Sequence, residues 1–338
     1  MNDAPPLPRA RRGAALAALA LATVAGGAWL SFLCDDAFIT FRYVANARDG
    51  HGLVWNAPPF APVEGYTSFL WALVLWAAWE WLGGAPPAAA TPLSLLGGLG
   101  QLAVVAWAAL SLRGRDGARL PDAVGLVAAA VVVCNRTFLQ WTTSGLETAL
   151  FDLGFVAWVV WAFRRERTAG WLAGWSALAA LVALTRPDGL LLVGATGAVA
   201  TVDLARRRRG PGATVLGLAP LVLVAVHVGW RRWFYGEWLP NTYYAKIVAA
   251  WPEAGLCYLA SFVVEHGTWV VALVALLWLV AELGRGPRAF ARLALDRLAA
   301  TAAVGAVAAH AAYYTLVVGG DHFEYRVFSH LVPRRTSA

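Results

Sequence analysis

Charged side chains are scarce in this sequence: they make up 14% of 338 residues, while 59% are hydrophobic. Soluble domains carry about 25% charge. A chain with the present balance cannot cover itself with water-facing groups, and lipid is its natural solvent. Cysteine is equally sparse. Cys34, Cys134 and Cys257 are far apart and lack the spacing of metal ligands, so no chemistry is assigned to them. Internal repeats are absent, and the centres of the apolar runs are nearly free of charge. A transporter would be expected to show internal repeats and ionisable residues near the span centres, so that class is disfavoured. The net charge of +7 falls in short clusters between apolar runs rather than along one surface. That pattern belongs to cytoplasmic loops and argues against a nucleic-acid partner.

What is present is a series of apolar runs. Arg9, Arg11 and Arg12 precede the first, from Gly13 to Leu33. Its length of about 21 residues suits a bilayer span better than a signal-peptide core. Leu33 before Cys34 is too large for a lipoprotein cleavage site, and an uncleaved anchor is expected. The other runs are 67–82, 91–112, 120–134, 146–163, 169–184, 189–205, 213–230, 258–282 and 298–318. Arginines cluster at Arg113/Arg115/Arg119, at Arg164/Arg165/Arg167, from Arg206 to Arg209 and from Arg285 to Arg297. All of them fall inside, as the positive-inside rule requires, if one of 67–82 and 91–112 does not cross, and 67–82 is the better candidate. That segment is short and carries Trp71, Trp76, Trp79, Trp81 and Glu80, which suits a helix lying in the interface.

The expected fold is therefore all-α, a polytopic transmembrane helical bundle of about nine spans. Residues 1–12 are cytoplasmic, 13–33 form the first span and 34–90 a large extracytoplasmic loop with interfacial helices. The bundle covers 91–318, and 319–338 is an extracytoplasmic end. The outward segments are then 34–90, 135–145, 185–188, 231–257 and 319–330.

Those segments hold nearly all the other unusual polar residues. Asp35 and Asp36 leave the first span together, and adjacent carboxylates near low dielectric are costly unless solvated, paired or used. At least one is expected to hold its proton more tightly, as a general base or metal ligand requires. Arg42, His51, Asn56, Glu64 and Tyr66 follow in the same loop, with glycines around His51 and after Glu64 suited to tight turns. Glu147, the pair Arg186 and Asp188, the group Asn241, Tyr243 and Lys246, and finally Asp321, His322 and Arg326 complete the set. Each has a plain structural alternative: a helix-end charge for Glu147, a loop ion pair for Arg186 and Asp188, an interface anchor for Lys246. Convergence of six separate clusters on one face favours function. Asn135-Arg136-Thr137 matches a glycosylation sequon and is discounted as a short chance motif.

The strings DDAFITFRY, GHGLVWN, VEGYTSFLW, SGLETALF, TRPDGLL, YGEWLPNTYYAK and GGDHFEYR also resemble, in this order, a family. It is the bacterial membrane glycosyltransferases that include the mycobacterial terminal arabinofuranosyltransferase, within the GT-C superfamily. The resemblance spans residues 13–330. It implies a polyprenyl-phosphate sugar donor, a cell-envelope glycan, lipid or protein acceptor, and an extracytoplasmic active site on a bacterial inner membrane. It also implies an acidic pair in the first outer loop, with Asp35 at the position of the catalytic acid. The Ala57 to Pro62 stretch is richer in proline than the family turn, and family members continue beyond the equivalent of GGDHFEYR. The chain is therefore expected to be C-terminally truncated.

Transfer from such a donor requires a base for the acceptor hydroxyl, expected at Asp35 with Asp36 as alternate. It also requires positive charge for the departing phosphate, expected from Lys246, Arg186 and Arg326. A divalent cation (Mg, Mn or Ca) on Asp36, Asp321 or His322 is left open. Arg42, His51, Asn56, Glu64, Tyr66, Glu147, Asp188, Asn241 and Tyr243 are expected to bind donor or acceptor. The alternatives are a non-catalytic scaffold of the same fold and, behind it, a transporter.

Overall fold

A computed structural model describes residues 7–114, 117–164, 168–246 and 249–331, with the Lys246 side chain outside the described set. Arg115, Arg165 and Arg167 of the arginine clusters and the stretch 332–338 also lie outside it. The described residues form no β-strand beyond a single bridge between Arg113 and Arg119.

In chain order the helices are α1 (Arg9–Trp29), α2 (Ala37–Arg48), α3 (Phe69–Leu82) and α4 (Pro86–Leu110). Then come α5 (Asp122–Val133), α6 (Arg136–Trp141), α7 (Thr148–Ala162) and α8 (Ala169–Thr185). The third quarter holds α9 (Leu190–Ala205), α10 (Pro211–Leu218), α11 (Val222–Tyr235) and α12 (Asn241–Lys246). The last elements are α13 (Pro252–Glu265), α14 (Thr268–Gly284), α15 (Pro287–Asp296) and α16 (Leu298–Tyr313). Proline opens α4, α10, α13 and α15, where its fixed φ suits the first turn and its missing N–H costs nothing. Asn135, whose sequon was discounted, caps α6 by accepting from the Phe138 N–H at 3.0 Å.

Among the described residues, five helical stretches are long and apolar enough to cross a membrane: Arg9–Trp29, Pro86–Leu110, Pro187–Ala205, Pro211–Tyr235 and Leu298–Val318. The pair Pro252–Glu265 and Thr268–Gly284 makes a sixth if it is one span. The run 258–282, expected as one straight span, is broken there: His266 and Gly267 end α13, and α14 leaves at 95°. Gly267 takes a left-handed conformation that interrupts the i→i−4 ladder. The helices α3, α5, α7 and α8 are apolar but shorter, at 14, 12, 15 and 17 residues. The first helix begins at Arg9, not Gly13, and ends at Trp29, so that 30–36 can turn. Asp122 anchors the early start, accepting from the Leu7 N–H at 3.0 Å and standing 3.8 Å from Arg12.

Four helices form the centre. Trp158 of α7 stacks on Trp175 of α8 with ring centroids 4.9 Å apart, and both are fully buried. Their indole N–H groups are satisfied, Trp158 by Thr196 of α9 at 3.1 Å and Trp175 by the Trp158 carbonyl at 3.1 Å. Ala299, Ala303 and Ala306 of α16 close the cluster, their small side chains letting that helix approach. The same four helices share a polarity. Their ends at Glu147, Arg186, Asp188 and Tyr314 meet one another. Their opposite ends carry arginines that also meet: Arg209 donates to the Thr168 carbonyl at 2.7 Å and Arg208 to the Leu295 carbonyl at 2.9 Å. At 1.5 Å per residue, α8 separates the two ends by about 25 Å.

Candidate functional site

At the arginine-poor end lies a cavity of about 300 Å³. Its wall is assembled from six stretches of chain, which contribute Asp36, Tyr66, Glu147, Arg186 with Asp188, Tyr243, and Asp321 with Arg326. Eight residues singled out from the sequence therefore share one cavity. Local chemistry explains how each gets there.

Asp36 stands at the start of α2, held by the turn after α1. Cys34 fixes that turn, its N–H donating to the Ser144 carbonyl at 2.9 Å. The partner turn, Ser144-Gly145-Leu146-Glu147, needs glycine. Gly145 has φ +79°, and a Cβ there would lie 2.4 Å from the Leu33 side chain. Trp71 of α3 locks the Gly145 carbonyl with its indole N–H at 3.0 Å. Glu147 then opens α7 and faces the cavity.

Arg186 is the centre of the floor. It donates to Glu147 at 2.9 Å and to Asp188 at 2.9 Å, and reaches the Tyr314 hydroxyl at 3.2 Å. Tyr314 in turn donates to Asp188 at 3.0 Å. Two carboxylates therefore already occupy the Arg186 fork, which includes the ion pair with Asp188 weighed against its expected phosphate role. Arg326 is paired too, with Asp321 at 2.9 Å. Gly320, at φ +94°, makes the turn that brings Asp321 to the wall. Asp36 is the one cavity carboxylate with no ion pair among the described residues. The lining thus holds four carboxylates and two guanidiniums, both of the latter satisfied.

Asp35, expected as the base, does not line the cavity. Adjacent residues at a helix start point in different directions, and Asp35 is exposed, accepting from the Asp36 N–H at 2.9 Å and the Cys34 thiol at 3.5 Å. Burial pushes the Cys34 thiol up to about 11. Arg42 and Asn56 also lie outside the cavity: they bond each other at 2.9 Å, and the guanidinium stacks on Trp55. His51 is exposed, with its N–H tied to the Asn46 carbonyl. Glu64 is buried behind the wall, 2.6 Å from Arg231. Asn241 is absent from the lining, although Thr242 and Tyr243 belong to it.

The cation left open on Asp36, Asp321 or His322 finds no ready cage among the described residues. No three His, Cys, Asp or Glu side chains converge as metal ligands among the described residues. Asp321 spends its two oxygens on His322 at 3.1 Å and Arg326. Tyr314 and Arg231 were missed from the sequence. Tyr314 lies inside an apolar run and looks like an interface anchor; Arg231 could have been found by asking what neutralises Glu64. Comparison with protein families, curated proteins and solved structures returned no match.

Proposed function

We propose that the chain is a membrane glycosyltransferase of GT-C type that moves a sugar, a pentofuranose or a hexose, from a polyprenyl-phosphate donor to a cell-envelope acceptor. The observation that carries this reading is the cavity. Six separated stretches place their polar residues in it, at the helix ends opposite the arginine clusters. By the positive-inside rule those clusters are cytoplasmic, and the cavity opens on the outer face of a bacterial inner membrane. The nine-span count belongs to the same proposal: the five long helices, the bent pair, and the short helices α5, α7 and α8 cross, while α3 lies in the interface.

The Asp36 carboxylate takes the proton of the acceptor hydroxyl as that oxygen attacks the anomeric carbon. The bond from this carbon to the phosphate oxygen breaks, and polyprenyl phosphate departs with the electron pair. A single displacement inverts the anomeric centre. Arg326 faces the departing phosphate, with Arg186 deeper in the floor. Tyr243 offers a flat face and a hydroxyl to the sugar, and Tyr66 forms part of the wall behind it.

A transporter has one point in its favour, the broken pair α13 and α14. None of the residues at that break lines the cavity, which leaves the enzyme reading ahead. Proteoliposomes carrying the chain, given a panel of polyprenyl-phosphate sugars and a glycan acceptor, test the proposal. Transfer of at least one sugar is expected; release of sugar across the vesicle wall without transfer would favour the transporter.

A further inference from the structure

Behind the cavity wall, Glu64 and Arg231 form an ion pair of 2.6 Å with side chains 2% and 6% exposed. Neither lines the cavity, yet both reach segments that do. Glu64 immediately precedes Gly65, Tyr66, Thr67 and Ser68, all on the wall. Its backbone carbonyl accepts from the Asn241 N–H at 3.0 Å, next to the wall residues Pro240, Thr242 and Tyr243. Arg231 adds a contact of 3.5 Å to the Trp238 carbonyl and one of 3.0 Å to His227 Nε2. One turn on, Tyr235 donates to the Leu53 carbonyl at 2.6 Å and stands 3.4 Å from the Tyr66 hydroxyl.

We infer that Arg231 is a positioning residue, which holds the 65–68 and 240–243 walls of the cavity against α11. A buried guanidinium with a buried carboxylate is a poor source of net stability but fixes geometry strongly. Removing one partner strands the other charge, whereas removing both is nearly neutral. Burial alone raises the Glu64 carboxyl, and the adjacent guanidinium pulls the other way. Arg231 on α11, and Tyr43, Tyr66 and Tyr235 beyond it, face this carboxyl, while His227 stands against Arg231. The walls therefore lose their hold on α11 when one charge is stranded, and keep it when the pair is intact or when both charges are replaced together.

The inference rests on the proposed function only for what the cavity holds, and its test needs no transfer activity. In a background with Cys34, Cys134 and Cys257 replaced by alanine, Thr67→Cys is labelled with a water-soluble maleimide in the purified full chain. Arg231→Met is expected to speed labelling by at least about ten-fold, because the stranded Glu64 carboxylate draws water into the wall. The double variant Glu64→Gln/Arg231→Met is expected to return to within about three-fold of the parent. Where transfer is measurable, Arg231→Met raises the donor KM more than it lowers kcat. Arg231→Lys keeps the charge and loses the fork, giving a smaller rise, and serves if the Met variant does not purify. Labelling unchanged in either single variant, or a double variant as fast as Arg231→Met, overturns the inference.

Discussion

Arg186 shows what a single side chain does at this site. Its guanidinium is 13% exposed and holds Glu147 and Asp188 together at 2.9 Å each. Arg186→Ala is expected to lower stability by about 3–5 kcal/mol, the cost of leaving buried carboxylates without their counter-charge. Thermal unfolding followed by near-UV circular dichroism measures it. A loss under about 1 kcal/mol, with donor binding abolished, would favour Arg186 as a phosphate ligand over a structural ion pair. Cys34 offers a second test, since its thiol is raised to about 11 by burial and only about 0.1% is thiolate at pH 8. Alkylation should be slow at pH 8 and quicken as pH rises towards that value. Fast reaction at pH 8 would mean that the turn after α1 is open. At this scale the sequence was informative about which residues matter and poor about their roles. Asp36, Glu147, Arg186, Asp188, Asp321 and Arg326 were legible because charge beside apolar runs is costly. Which of two adjacent aspartates faces inward depends on helix phase, and which arginine is already paired depends on contacts 39 residues apart, and neither is written locally.

Among the elements, the helices are where the sequence reads most plainly, because apolar length and flanking arginines are one-dimensional signals. The break between α13 and α14 was not visible, since Gly267 inside an apolar run can equally sit in a straight helix. The short α3 is the element on which the crossing count turns. Cysteines at positions 60 and 322 should react with an impermeant thiol reagent from outside, and those at 117, 208 and 288 should not. Labelling at 117 from outside would make α3 a true span. The junction of α8 and α9 allows a packing test. A Cβ on Gly189 would lie 2.3 Å from the Ala183 nitrogen, backbone that cannot step aside. Gly189→Ala should force the junction open, cost about 1–3 kcal/mol, and displace Asp188 from Arg186. Unchanged unfolding would show that α8 and α9 are less tightly joined than the structure has them.

For the molecule as a whole, the arrangement is two-ended: arginines at one end of the central helices, and at the other a cavity of about 300 Å³ walled by carboxylates and tyrosines. The central claim is that this cavity transfers sugar with Asp36 as base. Asp36 is its one carboxylate lacking an ion pair among the described residues. The direct measurement is initial-rate sugar transfer from a polyprenyl-phosphate donor by the parent chain, Asp35→Asn and Asp36→Asn, reconstituted side by side. The account predicts that Asp36→Asn falls by about 10²–10⁴-fold with donor binding retained, while Asp35→Asn stays within about ten-fold of the parent. Equal rates in parent and Asp36→Asn would contradict it.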